Sequence, residues 1–229
     1  MPKKQKQIDV VMANRQTTVL LHMTSANDSA SLNRLFRYRS PNPRAYNSYV
    51  NMMYNGRVAT GLFLEMKDTQ KKFAFNIDDR RKMPTFTQMP ERLAAKARDY
   101  QINAVTAMRL NSNCGGIILA ATGTGKTFTT GVYFSMLQGS ACMIVDELTL
   151  LEQARLELEG TLLEKVGTAG DSKFEPARIT VATAQTLLRH ANDPKFIKWY
   201  KTLDVLVIDE VHVAMNRRSI SIVSTIAPK

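Results

Sequence analysis

Apolar and polar positions alternate in two different ways along this chain, and the change falls near residue 85. In the first stretch, residues 8–12 and 17–23 are β-branched or apolar on either side of Ala13-Asn14-Arg15-Gln16, which predicts two short strands and a turn. Asn27 or Asp28 can cap a helix over residues 29–38, with Leu32, Leu35 and Phe36 on one side and Pro41 and Pro43 to end it. Residues 57–66 and 72–77 predict two more strands, so this part reads as a small α+β unit. The second stretch alternates on a longer scale. Residues 91–110 place Leu93, Ala97, Tyr100, Ala104 and Met108 at helical spacing. Short apolar runs follow at 115–120, 141–145, 178–182 and 204–208, with helix-like segments at 126–137 and 148–163 between them. Apolar strands separated by amphipathic helices predict an α/β fold, a parallel sheet with helices on both faces. Ligands bind at the carboxyl ends of the strands in such sheets.

Charge sharpens the division. The 229 residues carry 31 Lys and Arg against 20 Asp and Glu, a formal charge of +11. Residues 1–90 hold 15 of the basic and 6 of the acidic side chains, so nearly all the excess lies there. A polar stretch with Pro84 and Pro90 separates the parts, giving expected domains of 1–85 and 86–229. A basic domain on a nearly neutral one implies a polyanionic partner, most often nucleic acid. Two cysteines, Cys114 and Cys142, exclude a disulfide framework and offer no metal-ligand spacing. The apolar runs are too short to span a membrane, and no apolar run follows the basic amino terminus. The expected location is cytoplasmic, in the host if the chain is phage-encoded.

The chemistry sits where strands end. The run 116–120 leads directly into Ala121-Thr122-Gly123-Thr124-Gly125-Lys126-Thr127 and a helix. Counted from Ala120 this is A-x-x-x-x-G-K-T, a phosphate-loop pattern with alanine first. Its glycines let backbone N–H groups wrap phosphates, and the helix terminus adds a positive dipole end. Lys126 would hold the β- and γ-phosphates of ATP, and the Thr127 hydroxyl would coordinate Mg²⁺. Further on, residues 205–208 run into Asp209-Glu210, an apolar strand ending in two carboxylates. One carboxylate can hold the metal, and the next can orient or deprotonate an attacking water.

These residues resemble superfamily 2 helicases. Residues 120–127 match their motif I, and Asp209-Glu210-Val211-His212 is a DExH form of motif II. Arg98-Asp99-Tyr100-Gln101 is similar to the R-x-Y-Q element that recognises adenine in the restriction-endonuclease-like branch. The resemblance implies a RecA-like fold, an adenine contact by Gln101 with Arg98 nearby, and coupling of ATP state to a second domain through His212. Residues 145–153 occupy the place of motif Ia and keep Val145, Leu150 and Gln153, and the resemblance implies a DNA contact at Gln153. Asp146-Glu147 stand where Pro-Thr is usual, and Glu147 would repel a phosphate. Thr183-Ala184-Gln185 is similar to the T-x-Q motif, in which Thr183 would touch the tracked strand.

Among these helicases the chain most resembles the UvsW-like phage branch-migration enzymes. Residues 218–223 resemble their helix after motif II. Pro43-Arg44 and Asn55-Gly56-Arg57-Val58 resemble part of their small DNA-binding domain, with Met53-Tyr54 in place of a tryptophan, and imply a DNA contact at Arg57. Motif III and the motifs of a second RecA-like domain are absent from these 229 residues. The expectation is therefore an ATP-dependent DNA helicase or translocase for recombination or repair. It would work with a second RecA-like domain further along the chain or on another chain, and alone it would be a weak ATPase. Two alternatives are a P-loop phosphotransferase using the same Lys and Thr, and a non-catalytic clamp that binds DNA and ATP.

Overall fold

The computed structural model describes residues 5–12, 17–21, 26–39, 49–112, 115–171 and 173–210. The turn at 13–16, the prolines at 41 and 43, Pro43-Arg44, Cys114, His212 and the helix expected after it lie outside the described residues. The chain divides into two compact units between Lys82 and Met83.

The first unit runs β1 (Lys6–Met12), β2 (Thr17–Leu21), α1 (Ala26–Leu35), β3 (Arg37–Arg39), β4 (Tyr49–Asn51), β5 (Met53–Tyr54), β6 (Arg57–Ala59), α2 (Thr60–Met66) and β7 (Phe73–Asp79). Five of these strands form one sheet in the order β5-β6-β2-β1-β7, and β3 pairs with β4 separately. The pairings are antiparallel except β1 with β7. Alternation along β1 sends Ile8, Val10 and Met12 into a core with Leu20, Met53, Val58 and Phe73. Leu32, Phe36 and Phe63 cover that face, and each buried ring removes enough apolar area to be worth about 1.5–3 kcal/mol. The buried Thr18 hydroxyl donates to Thr60 Oγ1 at 3.0 Å and fixes α2 to β2.

The strand expected over 57–66 is corrected here: only residues 57–59 are extended, and 60–66 are helical. Thr60 and Phe63, three apart, are the buried pair, which is a helical and not a strand period. The first helix likewise ends at Leu35, and residues 37–39 pair as β3.

The second unit runs α3 (Glu91–Ala94), α4 (Asp99–Leu110), α5 (Lys126–Met136), β8 (Ser140–Val145), α6 (Leu148–Leu162), β9 (Gly167–Gly170), β10 (Lys173–Glu175), β11 (Ile179–Thr183), α7 (Ala184–Arg189), α8 (Pro194–Tyr200) and β12 (Leu203–Ile208). The sheet order is β10-β9-β11-β8-β12, with β9, β11, β8 and β12 parallel and β10 antiparallel at the edge. Along β8, Ala141, Met143 and Val145 join the core formed with α5 and α6. Cys142 and Ile144 face the other way, toward Leu187, Phe196 and Trp199 of α7 and α8. Both faces are therefore covered, as the continuous apolar runs require. Burial pushes the Cys142 thiol well up, so it stays protonated. The indole of Trp199 packs 5.3 Å from Phe196 and 5.5 Å from Phe174, as a core side chain. Arg178 binds Glu164 and donates to the carbonyls of Leu137 (2.9 Å) and Gly139 (3.1 Å), tying β11 to the segments after α5 and α6.

Two expectations change in this unit. The helix over 91–110 is broken at 95–98, and the restart shifts its phase by one residue. The buried positions of α4 are Gln101 and Val105, while Tyr100 is 45 % exposed. Residues 115–120 form no strand among the described residues: β12 pairs only with β8, and the side chains of Ile117 and Leu119 are exposed. A strand needs a neighbour to bond its backbone, and apolar composition alone does not supply one.

Candidate functional site

The phosphate-loop segment is a turn held by its own bonds. Thr124 Oγ1 donates to the Ala121 carbonyl at 2.7 Å. Gly123 and Gly125 have φ of +79° and +76°, a left-handed backbone that side chains disfavour. At Gly125 the neighbours also forbid a side chain, because a Cβ would lie 2.8 Å from Gln101 Nε2. Gly125 is the N-cap of α5 and offers no capping side chain, so the first N–H groups of the helix remain for an anion. The contrast with α7 is direct. There the buried Thr183 hydroxyl accepts from Thr186 N at 3.4 Å and donates to Thr186 Oγ1 at 3.0 Å. Thr183 is thus the N-cap of α7, with its hydroxyl bonded to Thr186.

Lys126 opens α5 with Thr127 beside it. Its ammonium lies 2.9 Å from Glu210 Oε1, so the structure joins residues 84 apart in the chain. That contact places the loop beside the residues that follow β12, although no strand of the sheet runs into the loop among the described residues. Asp209 N donates to the Ile144 carbonyl at 2.9 Å, extending the β12–β8 ladder to the first carboxylate. Glu210 then turns out of the strand with φ of +45°, a conformation that costs a non-glycine residue about 1–2 kcal/mol. Such strain persists where the surroundings hold it, often at functional positions. Here it aims the second carboxylate at Lys126.

The adenine element forms the other wall. Gln101 is 6 % exposed; its Oε1 accepts from Arg98 N at 3.0 Å, and its Nε2 donates to the Thr124 carbonyl at 3.0 Å. Tyr100 donates its hydroxyl to the same carbonyl at 3.0 Å, and Arg98 Nη1 lies 3.3 Å from that hydroxyl. These residues, with Gly123, Thr124 and Gly125, line a cleft of about 260 Å³ bounded by Lys96 and Phe128. Helical spacing assigned Tyr100 to the core and gave no reason to bury Gln101; the structure reverses both. The spacing also missed Lys96. Phe86 packs 5.3 Å from Tyr133, with the Arg109 guanidinium over its ring.

Thr127 and Asp209 offer a hydroxyl and a carboxylate, hard oxygen donors of the kind Mg²⁺ takes. Among the described residues no group of three His, Cys, Asp or Glu could cage a metal by itself. Two protein oxygens completed by phosphate and water is the usual Mg²⁺ arrangement. The residues present fit that ion.

Of the expected nucleic-acid contacts, Gln153 is exposed on the second turn of α6, and Arg57 is exposed on β6 of the first unit. Glu147 is the N-cap of α6 and is exposed, with Asp146 half-buried before it. Among the described residues no helix is long and apolar enough to cross a membrane.

Comparison with known proteins bears on the family and the fold. The family description "Type III restriction enzyme, res subunit" matches residues 94–228. No curated protein sequence matches the chain. The crystal structure of T4 UvsW is similar over 96 % of this chain and 50 % of its own, with a TM-score of 0.67 and 16 % identity. The chain thus spans about half the length of that structure, and the likeness is one of fold: a RecA-like α/β sheet with a small domain before it. The Sulfolobus solfataricus SWI2/SNF2 ATPase core in complex with dsDNA is similar over 57 % of this chain and 35 % of its own, at a TM-score of 0.37 and 22 % identity.

Proposed function

The chain belongs to the family of the type III restriction enzyme res subunit, and from that membership we propose that it is the ATP-binding half of a superfamily 2 DNA helicase or translocase. Its substrate would be duplex or branched DNA, in recombination or repair. The observation that carries this reading is the 2.9 Å approach of Lys126 to Glu210. It sets a phosphate-binding cation and a strand-end carboxylate on one spot, beside a glycine-capped helix terminus.

In the proposed reaction, the loop N–H groups and Lys126 bind the β- and γ-phosphates, with Lys126 leaving Glu210 for the stronger anion. Mg²⁺, held by Thr127 and Asp209, would supply further neutralisation of phosphate charge. Glu210, released from Lys126, orients the attacking water and accepts its proton. Gln101 keeps one amide hydrogen and one carbonyl lone pair unused, enough to read the adenine edge. Arg98, Tyr100 and Gln101 connect that edge to the Thr124 carbonyl, so base recognition and loop shape are linked. A phosphotransferase could use the same carboxylate on an acceptor hydroxyl, so the product, free phosphate or a phosphorylated acceptor, separates the two readings.

Gln153 and Arg57 are the proposed DNA contacts; Glu147 keeps phosphate away from the start of α6. His212 would pass the nucleotide state to a second RecA-like domain, which supplies the arginine that completes the site. Free phosphate release from ATP, without a phosphorylated acceptor, tests the reading. It should appear when this chain is combined with that second domain and DNA, and be lost in Glu210→Gln.

A further inference from the structure

The first unit presents an aromatic side chain to solvent at a place where the backbone is tightly determined. Met53–Tyr54 and Arg57–Ala59 pair as a hairpin, joined by Asn55-Gly56 with φ of +48° and +72°. Asn-Gly with both φ positive is the two-residue turn that matches strand twist, so the tip is short and stiff. The Leu20 N–H donates to the Gly56 carbonyl at 2.8 Å and fixes the tip to β2.

Alternation then decides which side chains go where. Met53 and Val58 are directly opposite each other and buried, at 6 % and 2 % exposure. Tyr54 and Arg57, the next opposite pair, share the other face, and Tyr54 is 78 % exposed. Arg57 is exposed as well. Among the described residues, the Tyr54 ring meets no other ring and neither side chain has an ion-pair or hydrogen-bond partner. The carboxylates of this open face lie across the sheet on β1 and β7. Asp9 accepts from Asn76 at 3.0 Å and Asp78 is paired with Arg80. The hairpin edge is thus left with an aromatic plane and a positive charge about 5 Å apart at their Cβ atoms, the distance set by opposite positions.

We infer that Tyr54 and Arg57 form a nucleotide-gripping site, Tyr54 stacking on an unpaired base and Arg57 binding the adjacent phosphate. The inference rests on the DNA reading above and adds to it the kind of DNA. A paired base inside a duplex has both faces covered by its neighbours. Only a single strand, a fork or a flipped base offers a free face to an aromatic ring, and any of the four bases will do. The guanidinium adds planar, charge-assisted donors for phosphate. A stiff hairpin tip holds both groups ready without ordering a loop on binding.

The test compares the 229-residue chain with its Tyr54→Ala, Tyr54→Phe and Arg57→Ala variants on two DNAs. One is a fork with 2-aminopurine at the first unpaired position; the other is a closed, fully paired duplex circle. Tyr54→Ala should weaken fork binding by roughly 5- to 100-fold and abolish the quench of 2-aminopurine, leaving the circle unaffected. Tyr54→Phe should retain both fork affinity and quench, and Arg57→Ala should weaken both DNAs. A Tyr54→Ala chain that binds and quenches the fork like the wild type overturns the site. Equal losses on fork and circle overturn the choice of an unpaired base. A wild-type chain that binds neither DNA removes the broader DNA reading, and this site with it.

Discussion

Lys126 and Glu210 touch, yet they should behave differently when changed. Lys126→Ala removes the cation that faces the phosphates, whereas Glu210→Gln removes a competitor for that cation and the base that activates water. Lys126→Ala should abolish useful Mg·ATP binding. Glu210→Gln should bind as well as the wild type or more tightly, because Lys126 no longer has to leave a carboxylate. Calorimetry with a non-hydrolysable nucleotide checks both, and equal losses would contradict the assignment. Gly125 gives a second prediction at this scale. Gly125→Ala combines a φ of +76° with a contact against the Gln101 amide. It should cost about 1–2 kcal/mol in backbone strain alone and weaken nucleotide binding while the fold survives. The phosphate loop and the Asp209-Glu210 pair were legible in the sequence, because each is a contiguous string whose chemistry demands its residue types. The bonds of Gln101 and Tyr100 to the Thr124 carbonyl were not. They join segments 23 and 24 residues apart through side chains whose burial depends on the helix break at 95–98.

Elements followed the sequence where an apolar run was long and had neighbours to pair with. Residues 141–145, 178–182 and 204–208 became β8, β11 and β12 within a residue or two, and 126–137 and 148–163 became α5 and α6. Residues 57–66 did not follow, since a one- or two-turn helix inside an apolar run has too few positions to display a period. β9, built from Gly167-Thr168-Ala169-Gly170, carries no strand signal at all. Its place is set by packing, because a Cβ at Gly170 would meet Leu151 at 2.5 Å. Arg178 is another case, an ordinary strand-start residue in sequence and a junction in the structure. Arg178→Ala removes its pairing with Glu164 and leaves two carbonyls without their charged donor. It should destabilise the second unit by about 1–3 kcal/mol, seen as a lower denaturant midpoint with the slope unchanged. An unchanged midpoint would mean that water replaces the guanidinium at no cost.

For the whole molecule, charge and chemistry are divided between the two units. The +9 excess of residues 1–90 should dominate DNA affinity, and neutralising about four to six phosphates gives a log–log salt slope of roughly −4 to −5. Deleting residues 1–82 should flatten that slope and leave nucleotide binding intact; an unchanged slope would move the DNA site to the second unit. Hydrolysis should be slow in the 229 residues alone. In the proposed engine an arginine from another domain meets the γ-phosphate charge, and losing such a group costs roughly 10³- to 10⁵-fold in rate. Turnover near one per second, stimulated by DNA and lost in Glu210→Gln, would show that no second domain is required. All of this depends on the loop of residues 121–127 being a nucleotide site. The most direct measurement is a calorimetric titration of the chain with non-hydrolysable Mg·ATP, beside Lys126→Ala. The account predicts saturable binding of one nucleotide per chain, lost in the variant; no saturable binding, or the same isotherm in both proteins, would contradict it.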